Sequence, residues 1–145
     1  MAITKEALKS LTVDDFKVYE GISWEHNKTD CYTLICKVYD ELFQTHLRDY
    51  ERAADWWTMP EVYNLYVDNY GNEGFSKIEI TEDNPIQIGD LILMKIGCEV
   101  PVHGAIYVGD NKILHLFMKH NSVIEDYDGI WLNTTSEVIR HKNFF

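Results

Sequence analysis

The stretch HGAIYVGDNKILH, residues 103–115, decides the fold. Its residues alternate with period two on both sides of Gly109, Asp110 and Asn111, the chemistry of a turn. It therefore reads as a β-hairpin with strands over 102–108 and 112–117. A three-residue loop pairs 108 with 112, 105 with 115 and 103 with 117. In that register His103 and His115 are diagonal neighbours on one face, about 7–8 Å apart at the backbone and within side-chain reach. A two-residue loop turns them to opposite faces.

Upstream of the hairpin, 91–96 reads as a strand entered through a turn at 85–90, and 77–80 as a possible first strand. A last strand is expected over 137–141. Gly71 and Gly74 mark a turn after a helix expected around 61–69. From 31 to about 45 the period is helical: Leu34, Ile35, Val38 and Leu42 share one face, with Thr29 or Asp30 as N-cap. Residues 3–20 read as one or two short helices, with Thr12 set before two acids and Gly21 where a helix stops. The segment 23–30 between these helical stretches reads as a polar loop. Helices first and an antiparallel sheet after is the α+β pattern. No linker composition divides the chain, so residues 1–145 read as a single domain.

Composition narrows the function. Hydrophobic residues make up 46% of the 145, enough for a real core. The net charge of −11, from 24 acids against 13 bases, argues against nucleic acid or an anionic membrane as a partner. No apolar run approaches the ~20 residues that span a bilayer. The start MAITKEALKS lacks the features of a secretory signal, so the chain is expected to stay soluble, and any export needs another route. The three cysteines have no framework spacing and read as thiols in a reducing compartment.

Cys31 falls in the first turn of the expected helix, on its apolar face. There a thiol is activated by the helix N-terminus or a nearby imidazolium, and the free N–H groups of the turn help to hold an oxyanion. Its plain alternative is a small buried hydrophobe. Cys36 lies about 140° further round the helix and reads as packing; Cys98 has no assigned task. Each histidine alone reads as a strand-end residue. Together the three residues offer a nucleophile, a base (His103) and an orienting group (His115). Zinc held by the same three is an alternative. With no CxxC or HExxH pair and no Gly-rich phosphate loop, no metal or cofactor is expected.

Taken in order, TDCYTLI (29–35), IGDLIL (88–93) and residues 103–115 resemble the NlpC-type cell-wall peptidases over about residues 15–120. The resemblance implies a papain-like α+β fold, with the helix bearing the nucleophilic Cys packed on a central antiparallel sheet. It assigns Cys31 as nucleophile, His103 as base and His115 as third polar residue, and gives Asp30 a part in holding the substrate's free amine. The chain departs from the family at Tyr32 and Thr33, where Ser and Gly are usual, and at Gly104 and Ala105, where Val and Gly are usual. Tyr32 is expected to narrow the pocket. Trp24, with Glu25 and Trp56 or Trp57, is expected to line the groove, core packing being the alternative. RDYER (48–52), the Trp pair, Gly74-Phe75, YDGIW (127–131) and Arg140 resemble a narrower branch, the tail-assembly proteins of long-tailed bacteriophages. That branch implies a peptidoglycan stem peptide as substrate, cut next to a D-amino acid, and other phage tail proteins as partners. It also implies residence in the host cytoplasm during assembly and then in the virion tail, with action at the host cell wall. Its alternatives are a tail scaffold that keeps the Cys-His site without needing it, and acyl transfer on another substrate.

Overall fold

The computed structural model describes residues 2–25, 28–53 and 55–145. Six strands form one sheet: β1 (Phe75–Ile78), β2 (Leu91–Met94), β3 (His103–Gly109), β4 (Lys112–His115), β5 (Val123–Asp126) and β6 (Thr135–His141). Their order is β1-β6-β2-β3-β4-β5, and every neighbouring pair is antiparallel. β2 is the run Leu-Ile-Leu-Met, buried at all four positions because both faces of the sheet are covered. Leu91 and Leu93 join a core that includes α3 (Cys31–Glu41) and the N-terminal helices α1 (Lys5–Lys9) and α2 (Val13–Phe16). Ile92, Met94, Ala105 and Val138 join Tyr127 on the other face, with Trp131 of α4 (Gly129–Asn133) packed against them.

The α+β arrangement follows the sequence reading, and α3 carries Cys31 on its first turn. Asp30 is the N-cap: its Oδ1 accepts from the Thr33 N–H at 3.0 Å, and the Thr33 hydroxyl accepts from the Asp30 N–H at 2.8 Å. Leu34, Ile35 and Val38 are at most 2% exposed, while Leu42 is half-buried. The helix ends before 45 because Gln44 sits in the left-handed region at φ +51° and the chain then alternates, burying Phe43, Thr45 and Leu47. The Thr12 signal also operates, its N–H donating to Asp15 Oδ2 at 2.8 Å.

The hairpin reaches its expected register by another route. Its loop has two residues, Asp110 and Asn111 at φ +52° and +57°, and Gly109 pairs with Lys112. Alone, that loop would put His115 on the wrong face. A one-residue irregularity between Tyr107 and Gly109 restores the pairing of Tyr107 with Ile113 and Ile106 with Leu114.

Several boundaries move. The expected helix over 61–69 is a series of turns. Asn64 Oδ1 takes the N–H groups of Tyr66 (3.1 Å) and Val67 (3.0 Å), and Asp68 Oδ2 takes the Asn64 N–H at 2.8 Å. These side-chain bonds compete with the helical ladder, as short polar side chains do. β1 begins two residues ahead of the expected 77–80, and β2 ends at Met94. β5 and α4 carry no clear period and were not expected. The polar-loop reading of 23–30 covers His26 and Asn27, which lie outside the described residues.

The Gly-Asp-Leu stretch has a structural task. Gly89 (φ +93°) closes a turn in which the Asp90 N–H bonds Gln87 O, and the Tyr39 hydroxyl donates to Gly89 O. Asp90, 1% exposed, meets Arg140 of β6 through two bonds of 2.8 Å. Arg140 also donates to Asn84 Oδ1 and Pro85 O. Burial pushes the Asp90 carboxyl up despite its bonds to Arg140 and to the Gln87 N–H.

Candidate active site

Cys31 and His103 open on the same pocket of about 180 Å³, whose walls include Trp24, Asp30, Trp56 and Trp57. Cys31 arrives with the core on the α3 side, where the backbone of Gly104 on β3 helps to lower the thiol's pKa. His103, one residue earlier, faces the opposite side of the sheet with Ala105. The pocket lies at the start of β3, where both side chains reach it.

Behind His103 runs a chain of hydrogen bonds. His103 Nε2 lies 2.8 Å from His115 Nδ1, and His115 Nε2 lies 2.7 Å from Glu125 Oε2 on β5. A carboxylate only accepts, so His115 carries its proton on Nε2 and presents Nδ1 as an acceptor. His103 must then carry its proton on Nε2, which leaves Nδ1 as a lone pair. Hydrogen-bond accounting thus assigns both tautomers, and His103 is in the form that takes a proton at Nδ1. Trp131 roofs the pair, its ring 4.5 Å from that of His115 and 6.0 Å from that of His103. Burial, with His115 second, holds His103 well below the usual imidazole value; burial also lowers His115 against the pull of Glu125.

The surroundings of the thiol favour its neutral form. Burial, then the charge of Asp30, pushes Cys31 up to about 11. Opposing them are a hydrogen bond of 2.7 Å between Sγ and the Tyr66 hydroxyl, the Gly104 backbone and Arg52. Of the two activators expected, the helix terminus does not outweigh burial, which leaves the imidazole of His103. Both reacting groups rest neutral.

The remaining expected residues divide. Trp24 and Asp30 line the pocket, as do Trp56 and Trp57; Glu25 lines a neighbouring polar hollow with Lys28 and Arg52. Tyr32 lines neither of these cavities. It is 6% exposed, its hydroxyl donates to Arg48 O at 2.7 Å, and Arg52 lies over its ring. Placed one residue along α3 from Cys31, it is turned about 100° away from the sulfur. Asp30 is not a free carboxylate: Arg52 Nη2 donates to Oδ1 and to Oδ2, each at 2.8 Å, and Nε to Oδ2 at 3.0 Å. Among the described residues no three His, Cys, Asp or Glu are grouped as a metal site. The two histidines spend their facing nitrogens on each other. No helix among the described residues is long and apolar enough to cross a membrane.

Sequence reasoning missed Arg52, Tyr66, Glu125 and Trp131. Arg52 and Trp131 stood inside the quoted motifs 48–52 and 127–131 without a role, and Tyr66 left a trace through Gly104. A Cβ there would stand 2.7–2.9 Å from the Tyr66 hydroxyl and ring. A glycine where the family usually carries a larger residue marks the approach of another group.

Comparison with known proteins places this geometry. The pattern of the NlpC/P60 family matches residues 17–140. The tail tip assembly protein K of Escherichia phage lambda is 36% identical over 122 residues, which cover 84% of this chain and 58% of that protein. The tail tip assembly protein K of Escherichia phage N15 is 29% identical over 114 residues, 79% of this chain and 45% of that protein. The chain thus spans about half the length of these relatives. Among solved structures, a lipoprotein-like NLP/P60-family protein from Staphylococcus aureus shares the fold with a TM-score of 0.61 at 20% identity, covering 97% of this chain and 43% of that one.

Proposed function

The chain belongs to the NlpC/P60 family, and we propose that it is a cysteine peptidase cutting peptidoglycan stem peptides as part of a bacteriophage tail tip. The observation that carries the chemistry is the shared pocket of Cys31 and His103, with the Glu125–His115–His103 relay behind the base. The tail assignment rests on the two relatives, and the substrate class on the family.

In this reading His103 Nδ1 takes the proton of Cys31 as the sulfur attacks the amide carbonyl. The S–C bond forms, the carbonyl electrons move to oxygen, and the Nδ1 proton passes to the departing amine. Water, deprotonated by His103, then releases the acyl group. Proton transfer between two neutral buried groups creates an ion pair, which costs more in an apolar pocket than in water. Substrate entry therefore has to bring polar groups to the sulfur. A substrate amine reaching Asp30 meets a carboxylate already bonded to Arg52.

A second reading, a tail component whose assembly role does not use the thiol, draws on the same relatives and on the unprimed state of Cys31. One experiment separates them. Purified protein is incubated with peptidoglycan, with Cys31→Ala beside it, and phage carrying that variant is grown. Muropeptide release that vanishes in the variant supports the peptidase. No release by either protein, with normal virions from the variant, leaves the assembly role.

A further inference from the structure

The loop over 64–67 is built to deliver one hydroxyl to one sulfur. Asn64, 4% exposed, accepts the Tyr66 and Val67 N–H groups and donates from Nδ2 to Pro101 O at 2.8 Å, tying the loop to the approach to β3. The Tyr66 ring is held edge-on by Tyr32 (5.9 Å) and Trp56 (6.2 Å). Its hydroxyl shares a bond of 2.7 Å with Cys31 Sγ. On the far side, Gly104 leaves room for the ring that any side chain would take. The hydroxyl thus reaches Sγ from the 64–67 loop, in the space that Gly104 of β3 leaves open.

Resting on the peptidase reading, we propose that Tyr66 is a catalytic residue. Its hydroxyl donates to the Cys31 sulfur and holds the negative charge that appears when the thiol proton leaves for His103. Tyr66 keeps its own proton throughout: burial raises its phenol well above the ordinary value. The cysteine S–H bond breaks, the proton moves to His103 Nδ1, the electron pair stays on sulfur, and the O–H···S contact becomes charge-assisted and stronger. The hydroxyl thereby supplies part of the polar environment that burial removes. Gly104 is its structural counterpart, so the two residues form one device.

The test reads the thiol without substrate. Cys31 alkylation by iodoacetamide is followed at pH 8 by peptide mass spectrometry, in the wild type and in Tyr66→Phe. Losing a hydrogen bond to a charged group shifts a pKa by about one to two units. Partly offset by the higher intrinsic reactivity of a more basic thiolate, this slows alkylation about 4- to 16-fold. Tyr63→Phe removes a hydroxyl just before the loop, one bonded to Asn69 and not to the sulfur, and leaves the rate unchanged. Gly104→Ala displaces the ring while keeping the hydroxyl, and slows the reaction as Tyr66→Phe does. A folded Tyr66→Phe or Gly104→Ala protein that alkylates at the wild-type rate overturns the proposal. Peptidoglycan digestion is scored separately. Slow alkylation with no digestion by the wild type keeps the Tyr66 hydroxyl as the group that tunes the sulfur but removes the peptidase reading and, with it, the catalytic role.

Discussion

Glu125 stands at the outer end of the histidine relay, and what it does is decided by a single proton. With its carboxylate accepting from His115 Nε2, both imidazoles are held in one tautomer. Glu125→Ala releases His115 to carry its proton on Nδ1, facing His103. The His103 proton then moves to the pocket side, where a lone pair is needed. Turnover is expected to fall on the order of 10²-fold with little change in KM. Glu125→Gln recovers part of the loss, because its amide oxygen still accepts. Nitrogen-15 spectra of histidine-labelled protein read the tautomers directly. Unchanged His103 and His115 signals in Glu125→Ala would contradict the relay. The pairing of His115 with His103 was legible in the sequence, but its outer end was not: Glu125 lies on a short strand without apolar period, and its partner sits ten residues away across an antiparallel register.

Among the elements, those whose period was enforced by burial were the ones the sequence made readable. α3 shows its apolar stripe and its cap, β2 shows an unbroken apolar run, and the β3–β4 hairpin shows alternation and turn residues. The hairpin reading weighed loops of two and three residues, and the structure has the two-residue loop with the register of the longer one, since a bulge leaves no mark in composition. The 61–69 segment misled because Asn64 and Asp68 bind the backbone themselves, which a periodicity count ignores. The Asp90–Arg140 pair joins a turn to the last strand, and its geometry predicts a large asymmetry. Arg140→Ala strands a buried carboxylate and is expected to cost about 3–5 kcal/mol in urea unfolding. Replacing both partners with apolar residues of similar volume recovers most of that loss. A single variant within 1 kcal/mol of wild type would show the pair to be idle.

For the molecule as a whole, the two neutral reacting groups set the pH response. His103 is held well below 6.5 and Cys31 is pushed up to about 11, so both stay neutral across the interval between. The pH profile of kcat/KM is expected to be a broad plateau with its alkaline limb near 11, and an acid limb at pH 6.5 would contradict the assignment. Stability moves in the same region. His103 and His115 have depressed values in the folded state, so the unfolded chain takes up protons first as pH falls below 6.5. The stability present above that pH is then lost at up to about 1.4 kcal/mol per pH unit for each histidine. Thermal melts between pH 7 and 5 measure this.

The strand order carries one more consequence. β6, residues 135–141, is hydrogen-bonded between β1 and β2. Until a ribosome has released that segment, β1 has no neighbour and the sheet cannot close. A nascent chain thus displays the sulfur and both imidazoles before it owns the strand that welds its two sides together, and an enzyme acting on such a chain meets an unfinished frame.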